Sequence, residues 1–263
     1  MKKLIFTFCV MFLVLCWSCN QIKNEKFRQY QLKYAFVMME DWSRILLDNS
    51  IIENNVWEKE YARNNHQIIF SDVTGKEFGW YWQYAYTTKR LCATPVYILG
   101  KKPWFDTTTI SLMPLQISAI DTLSCSFEYN SEATGNYENS LSIWITDKKR
   151  SDGSDIACQM VCVYGNVGTE KLGTFKNTVQ IDNNIMDEYI YRVEYGIFEM
   201  VIFYLNSKES KLKFNLKEYL AYLVEKKYIN EQNYVSSVEL ATSVKWGKGE
   251  TVFSDFNFKI NSK

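Results

Sequence analysis

A long succession of short β-forming runs, interrupted only once by a helical pattern, constrains this chain more than any other feature. Gln67–Phe70, Phe78–Tyr86, Val96–Leu99, Ser124–Tyr129, Ser140–Thr146, Ile156–Tyr164, Tyr189–Tyr195, Glu199–Leu205, Val235–Val244 and Thr251–Ile260 alternate or run apolar like strands. Turn signals such as Asp72-Val73-Thr74-Gly75, Ala133-Thr134-Gly135-Asn136 and Asp152-Gly153-Ser154 separate them. Leu216, Tyr219, Leu220 and Leu223 recur at helical spacing behind a capping Asn215, with Glu218 in the third position, which predicts a helix over 216–227. Strands with one late helix point to an all-β, two-sheet sandwich of jelly-roll type. Phe27 to Asp48 reads either as an amphipathic helix or as an extended lead-in.

The N-terminus has a different character. Met1-Lys2-Lys3 precedes an apolar run from Leu4 to Leu15, and Ser18-Cys19 follows, the profile of a bacterial lipoprotein signal. The expectation is a signal peptide over 1–18, lipidation of Cys19, a tether and lead-in over 19–50, and a sandwich over 51–263. Such a chain is exported and held at the envelope, most simply the outer membrane, by lipid and not by a spanning helix.

Charge and residue counts narrow the function. The 30 basic and 30 acidic side chains cancel, so no overall field recruits nucleic acid. Aromatics make up 16% of the chain, and amphipathic rings suit a sugar-binding surface as well as a β core. His66 is the only histidine and no Cys-x-x-Cys pair exists, so neither a metal site nor another cofactor is expected. Of the cysteines beyond the leader, Cys158 and Cys162 share a strand face about 13 Å apart and cannot bridge undistorted. Lys101 and Lys102 read as a solvated turn. Nothing fixes an oligomeric state.

From about Asn54 onward, Asn54-Asn55-Val56-Trp57 and then Phe78-Gly79-Trp80-Tyr81-Trp82 open a series of ordered landmarks that resembles glycoside hydrolase family 12, the first similar to the family's Asn-Asn-Leu-Trp and the second to its aromatic second strand. Thr94-Pro95-Val96-Tyr97-Ile98-Leu99-Gly100-Lys101-Lys102-Pro103-Trp104 resembles Tyr-Pro-Glu-Ile-x-x-Gly-x-Lys-Pro-Trp. Met113-Pro114-Leu115, Ser124-Cys125-Ser126-Phe127-Glu128-Tyr129 and Tyr234-Val235-Ser236-Ser237-Val238-Glu239-Leu240-Ala241-Thr242 follow in the family's order. The resemblance implies a concanavalin A-like jelly roll with an open glucan cleft, in which Asn55, Trp57, Trp80, Trp82, Trp144 and Trp246 contact the polysaccharide.

It also implies departures at the chemical centre. Retaining glycosidases need two carboxyl groups about 5–5.5 Å apart, one to attack the anomeric carbon and one to protonate the leaving oxygen. The family's supporting aspartate, in Asp-Ile-Trp-Leu-Thr, falls on Ser142, and its acid/base glutamate, in Gly-Thr-Glu-Pro-Phe, falls on Ser243. The nucleophile motif Glu-x-Met-Ile-Trp fits Ser154–Gly165 in two registers, placing either Asp155 or Cys158 on the nucleophile. Because strand side chains alternate, these registers expose opposite faces. Three expectations follow: a β-1,4-glucan or xyloglucan binder without hydrolysis; an endo-β-glucanase using Asp155 and a displaced acid such as Glu239; or a non-binding structural module.

Overall fold

The computed structural model describes residues 25–57, 65–85, 91–193, 198–206 and 209–263. Cys19 and the signal segment lie outside these residues. A helix α1 (residues 25–33) is followed by strands β1 (Phe36–Met38), β2 (Arg44–Leu47), β3 (Ser50–Glu53), β4 (His66–Ser71), β5 (Phe78–Tyr84), β6 (Val96–Gly100) and β7 (Leu115–Gln116). Then come β8 (Ile120–Thr146), β9 (Ile156–Val167), β10 (Thr174–Ile181), β11 (Asn184–Arg192), β12 (Glu199–Leu205), β13 (Lys211–Phe214), helix α2 (Leu216–Glu225) and β14 (Tyr234–Ser262).

Two long strands build the sandwich. β8 and β14, 27 and 29 residues long, pair antiparallel along nearly their whole length. The first half of β14 pairs with β6, and its second half with β5. One layer therefore runs β2-β3-β6-β14-β8-β9-β12-β11-β10, and the other runs β1-β4-β5-β14-β8-β13. The passage between layers falls at a register shift between Val244 and Trp246. Gly135 and Gly247 face each other there at φ of +113° and +123°, and a Cβ on Gly247 would lie 2.0 Å from the Thr134 carbonyl oxygen, so only glycine fits. A polar chain ties the layers: Trp80 Nε1 donates to Thr242 Oγ1 (2.6 Å), which donates to Asn139 Oδ1 (2.6 Å).

The core between the layers takes one face of each strand: Phe78, Trp80, Trp82 and Tyr84 from β5; Leu141, Ile143 and Ile145 from β8; Cys158, Met160 and Cys162 from β9; Val238, Leu240 and Val244 from β14. α2 closes it with Leu216, Tyr219, Leu220 and Leu223, all buried. Asn215 does cap this helix, through its carbonyl to Glu218 N (2.9 Å), while its side chain donates to Glu218 Oε1 (2.7 Å). Cys92, Cys125, Cys158 and Cys162 are buried, with no disulfide among the described residues, and burial pushes the Cys158 thiol up to about 12.

The described part of the lead-in packs against the sandwich. Tyr30 and Tyr34 of the α1 region stack on Phe70 with ring centroids 4.5 and 4.3 Å apart, beside Ile68 and Tyr81. β5 turns Trp80 and Trp82 to the core, so Tyr81, and with it α1, lies on the outer face of its layer. The short strands β10 and β13, absent from the sequence reading, complete the sheets.

Candidate functional site

A cleft lies on the exposed face of the nine-strand layer, where alternation sets its floor. β14 contributes Glu239, Ala241, Ser243 and Lys245; β8 contributes Glu138, Ser140, Ser142 and Trp144; β9 contributes Gln159 and Val161. Asn55, Trp57 and Trp104 come from loops beside these strands, Met200 from β12, and Thr169, Glu170 and Leu172 from the loop after β9. The cleft has a volume of about 430 Å³, and its lining spans strands β6, β14, β8, β9 and β12.

Of the aromatic residues expected to hold sugar, Trp57 and Trp144 line the cleft. Trp57 is 54% exposed, and Trp144 packs edge-on against Trp104 (5.2 Å) and Phe198 (5.7 Å). Asn55 is 4% exposed, and its Oδ1 has no hydrogen-bond partner among the described residues, which leaves an acceptor for a ligand. Trp80 and Trp82 do not serve: both are fully buried, because the alternation of β5 points them into the core. Trp246 is half-buried beside the register shift and does not line the cleft.

Two further tryptophans outside the expected sugar-binding set, Trp42 and Trp104, stand by the cleft. Trp42 is held at φ +62°, its ring 5.1 Å from Trp57 and perpendicular to it. Asn54 pins this loop: its carbonyl accepts from Trp42 N (2.7 Å), its Nδ2 donates to the Glu40 carbonyl (2.7 Å), and its Oδ1 accepts from Gln67 (2.7 Å). Trp104 is 47% exposed on the opposite rim.

The ionisable groups are arranged in cross-strand pairs. Glu239 stands opposite Ser142, and Glu138 opposite Ser243. Burial raises the Glu239 carboxyl, opposed by Lys102, by the neighbouring Trp144 indole and by a hydrogen bond from Ser237 Oγ (3.1 Å). Burial pushes Glu138 up to about 7, with Lys245 pulling the other way. Lys102 is not in a solvated turn: it is buried and ion-paired to the buried Glu53 (3.1 Å), whose other oxygen meets Arg44 (2.7 Å). Lys101 is also buried, donating to the carbonyls of Ser151 (2.6 Å) and Pro103 (3.2 Å).

Neither expected register of the β9 strand reaches the cleft. Asp155 sits in the turn before β9, accepting a short hydrogen bond from Ser151 Oγ, and is not part of the cleft lining. Cys158 points into the core. The β9 side chain that enters the cleft is Gln159, cross-strand partner of Trp144, followed by Val161 opposite Ser142. Among the described residues, no group of three or more His, Cys, Asp or Glu is placed to hold a metal.

This architecture has counterparts among solved structures. The native family 12 xyloglucanase from Bacillus licheniformis superposes with a TM-score of 0.80 at 21% identity, covering 86% of this chain and all of that one. The endoglucanase cel12A from Rhodothermus marinus gives 0.73 at 16% identity over 87% of this chain and all of that one. The fold is that of family 12 glycoside hydrolases. Similarity also appears in sequence: Endoglucanase S of Pectobacterium parmentieri is 25% identical over 213 residues, spanning 79% of this chain and 80% of its own. The xyloglucanase domain of NopAA from Sinorhizobium fredii, solved with cellobiose, matches at TM-score 0.70 and 14% identity over 87% of this chain and 99% of that one. No protein-family model matches the sequence.

Proposed function

We propose that this protein binds β-1,4-glucan or xyloglucan in the cleft without hydrolysing it, as a lipid-anchored component of the bacterial envelope. One observation carries the binding-only part: Ser142 and Ser243, at two positions where the resemblance implies carboxylates, line the cleft, while neither Asp155 nor Cys158, the two expected nucleophile positions, reaches it, and β9 turns Gln159 and Val161 inward instead. None of Ser142, Ser243, Gln159 and Val161 ionises near neutral pH, so none attacks an anomeric carbon as a carboxylate or delivers a proton as a tuned acid. The stacking surfaces remain, with Trp57, Trp144 and Trp104 around a floor that offers Asn55 Oδ1, Ser140 and Gln159 to sugar hydroxyls. Relatives named as xyloglucanase and endoglucanase support the ligand class. The anchor rests on the Ser18-Cys19 signal, and labelling of Cys19 by a fatty-acid analogue tests it. Retardation in native gels containing xyloglucan or mixed-linkage glucan, with no new reducing ends, is the expected result.

A second reading is favoured by the Glu138 and Glu239 carboxyls, each one strand across from a serine at a family carboxylate position. On that reading the protein is an endo-β-glucanase with relocated acids, and Asp155 takes no part. Reducing ends abolished by Glu138→Gln or Glu239→Gln would establish it. If no soluble glucan binds, the sandwich is a structural module.

A further inference from the structure

The sheet that floors the cleft continues past Met200. Pairing registers place its side chains in rows: Trp144, Gln159, Met200 and Tyr191 are successive cross-strand partners, and Ser142, Val161, Ile202, Tyr189 and Phe175 form the next row. Directly paired residues project to the same face, so both rows carry the floor onto β11 and β10, about 19 Å beyond β8.

The outer part of these rows is aromatic, and its end at Phe175 is open. Phe175 is 51% exposed on edge strand β10, at a register shift between Phe175 and Asn177 of the kind that re-aims a side chain. Its ring meets Tyr189 edge-on at 5.5 Å. Lys171, ion-paired to Asp187 (2.8 Å), lies over Tyr189 and Tyr204 with its Nζ 5.4 and 5.2 Å from their ring centres. The α2 side of β11 is occupied separately, by the buried Met186 and by Glu188, which accepts from Tyr222 (2.8 Å). Tyr189 and Tyr191 are half-buried on the opposite face.

We propose that Tyr191 and Phe175 form an outer pair of stacking positions, beside a Tyr189 ring that Lys171 covers, that hold the same β-glucan chain after it leaves the cleft past Met200. This rests on the binding reading above. The occupant follows from continuity: the cleft crosses the strands, so a chain lying in it is directed along these rows, and the rows themselves carry no charged side chain. A neutral polymer with apolar C–H faces fits such a surface.

The test compares ligand lengths by calorimetry on the unaltered chain and on Phe175→Ala, Tyr191→Ala and Trp57→Ala. The expected result is about a tenfold loss of affinity for polymeric xyloglucan or β-glucan in Phe175→Ala and Tyr191→Ala, with cellotriose affinity within about twofold of the unaltered protein. Trp57→Ala weakens polymer binding independently of this surface. Polymer affinity unchanged in both outer variants, while Trp57→Ala still weakens it, overturns the extension and leaves the binding reading standing. If Phe175→Ala instead abolishes a dimer without affecting polymer affinity, the edge strand is a self-association surface and the extension is wrong. No polymer binding by the unaltered protein overturns both. Because Phe175 is exposed, its variant folds normally even if the half-buried Tyr191 site does not tolerate truncation.

Discussion

Glu138 and Ser243 stand directly opposite each other on β8 and β14, so a carboxyl that burial raises to about 7 lies one strand from the serine that the sequence resemblance sets at the acid/base position. The folded chain holds this proton more tightly than the unfolded chain between about pH 4.5 and 7. Stability therefore falls as pH rises through that window. Glu138→Gln removes this dependence and stabilises the fold at pH 8 by on the order of 1 kcal/mol, the partly exposed side chain limiting the gain. Urea unfolding at pH 5 and pH 8 checks it; an unchanged pH slope would show that Glu138 ionises freely in the fold.

The tryptophans separate into two classes by burial. Trp57→Ala should weaken glucan binding by on the order of 1 kcal/mol and leave the melting temperature nearly unchanged. Trp80→Ala removes a fully buried ring packed on Phe253 (5.2 Å) and withdraws the donor to Thr242. It should cost about 3–5 kcal/mol of stability, roughly 10 °C or more in melting temperature. Thermal melts with and without xyloglucan distinguish the two; a purely local loss of binding in Trp80→Ala would place its ring in the cleft.

Glu53 joins the early strands to the cleft wall. Its carboxylate balances Lys102, which is 3% exposed, and Arg44. Glu53→Gln leaves a buried ammonium without its counter-charge and should cost about 3 kcal/mol by denaturant unfolding. Lys102→Met should cost less, because Glu53 keeps Arg44.

Restoring carboxylates tests the chemical side. Ser142→Asp, Gln159→Glu and Ser243→Glu together should release reducing ends from mixed-linkage glucan where the unaltered chain releases none. Continued inactivity of a folded, glucan-binding triple variant would mean that these strands do not bring the three positions within catalytic reach.

The all-β class and the late helix were legible because a period of two and a helical spacing are strong signals over long segments. β10 was not: Thr174, Lys176 and Asn177 on an exposed edge offer no alternation to read. Trp80 and Trp82 were misplaced because alternation says that two residues share a face without saying which face meets the core. Gln159 stayed hidden behind Asp155 and Cys158 because a register shift where β9 begins, between Ile145 and Thr146 of its partner strand, cannot be read from the sequence. Glu138 carried a usable signal, four residues before Ser142 on the same strand face. Trp42 carried none, since its approach to Trp57 depends on the Asn54 hydrogen bonds that fold the loop back. Lys101 and Lys102 looked solvated because their carbonyl and carboxylate partners come from distant segments.

The most direct test of the central claim is one assay on purified residues 20–263: native gels containing xyloglucan, mixed-linkage glucan or a cellulose derivative, with reducing ends measured in parallel. Retardation without new reducing ends is the predicted result. New reducing ends would contradict it and would mean that Glu138, Glu239 or another carboxyl in the cleft has taken over the chemistry.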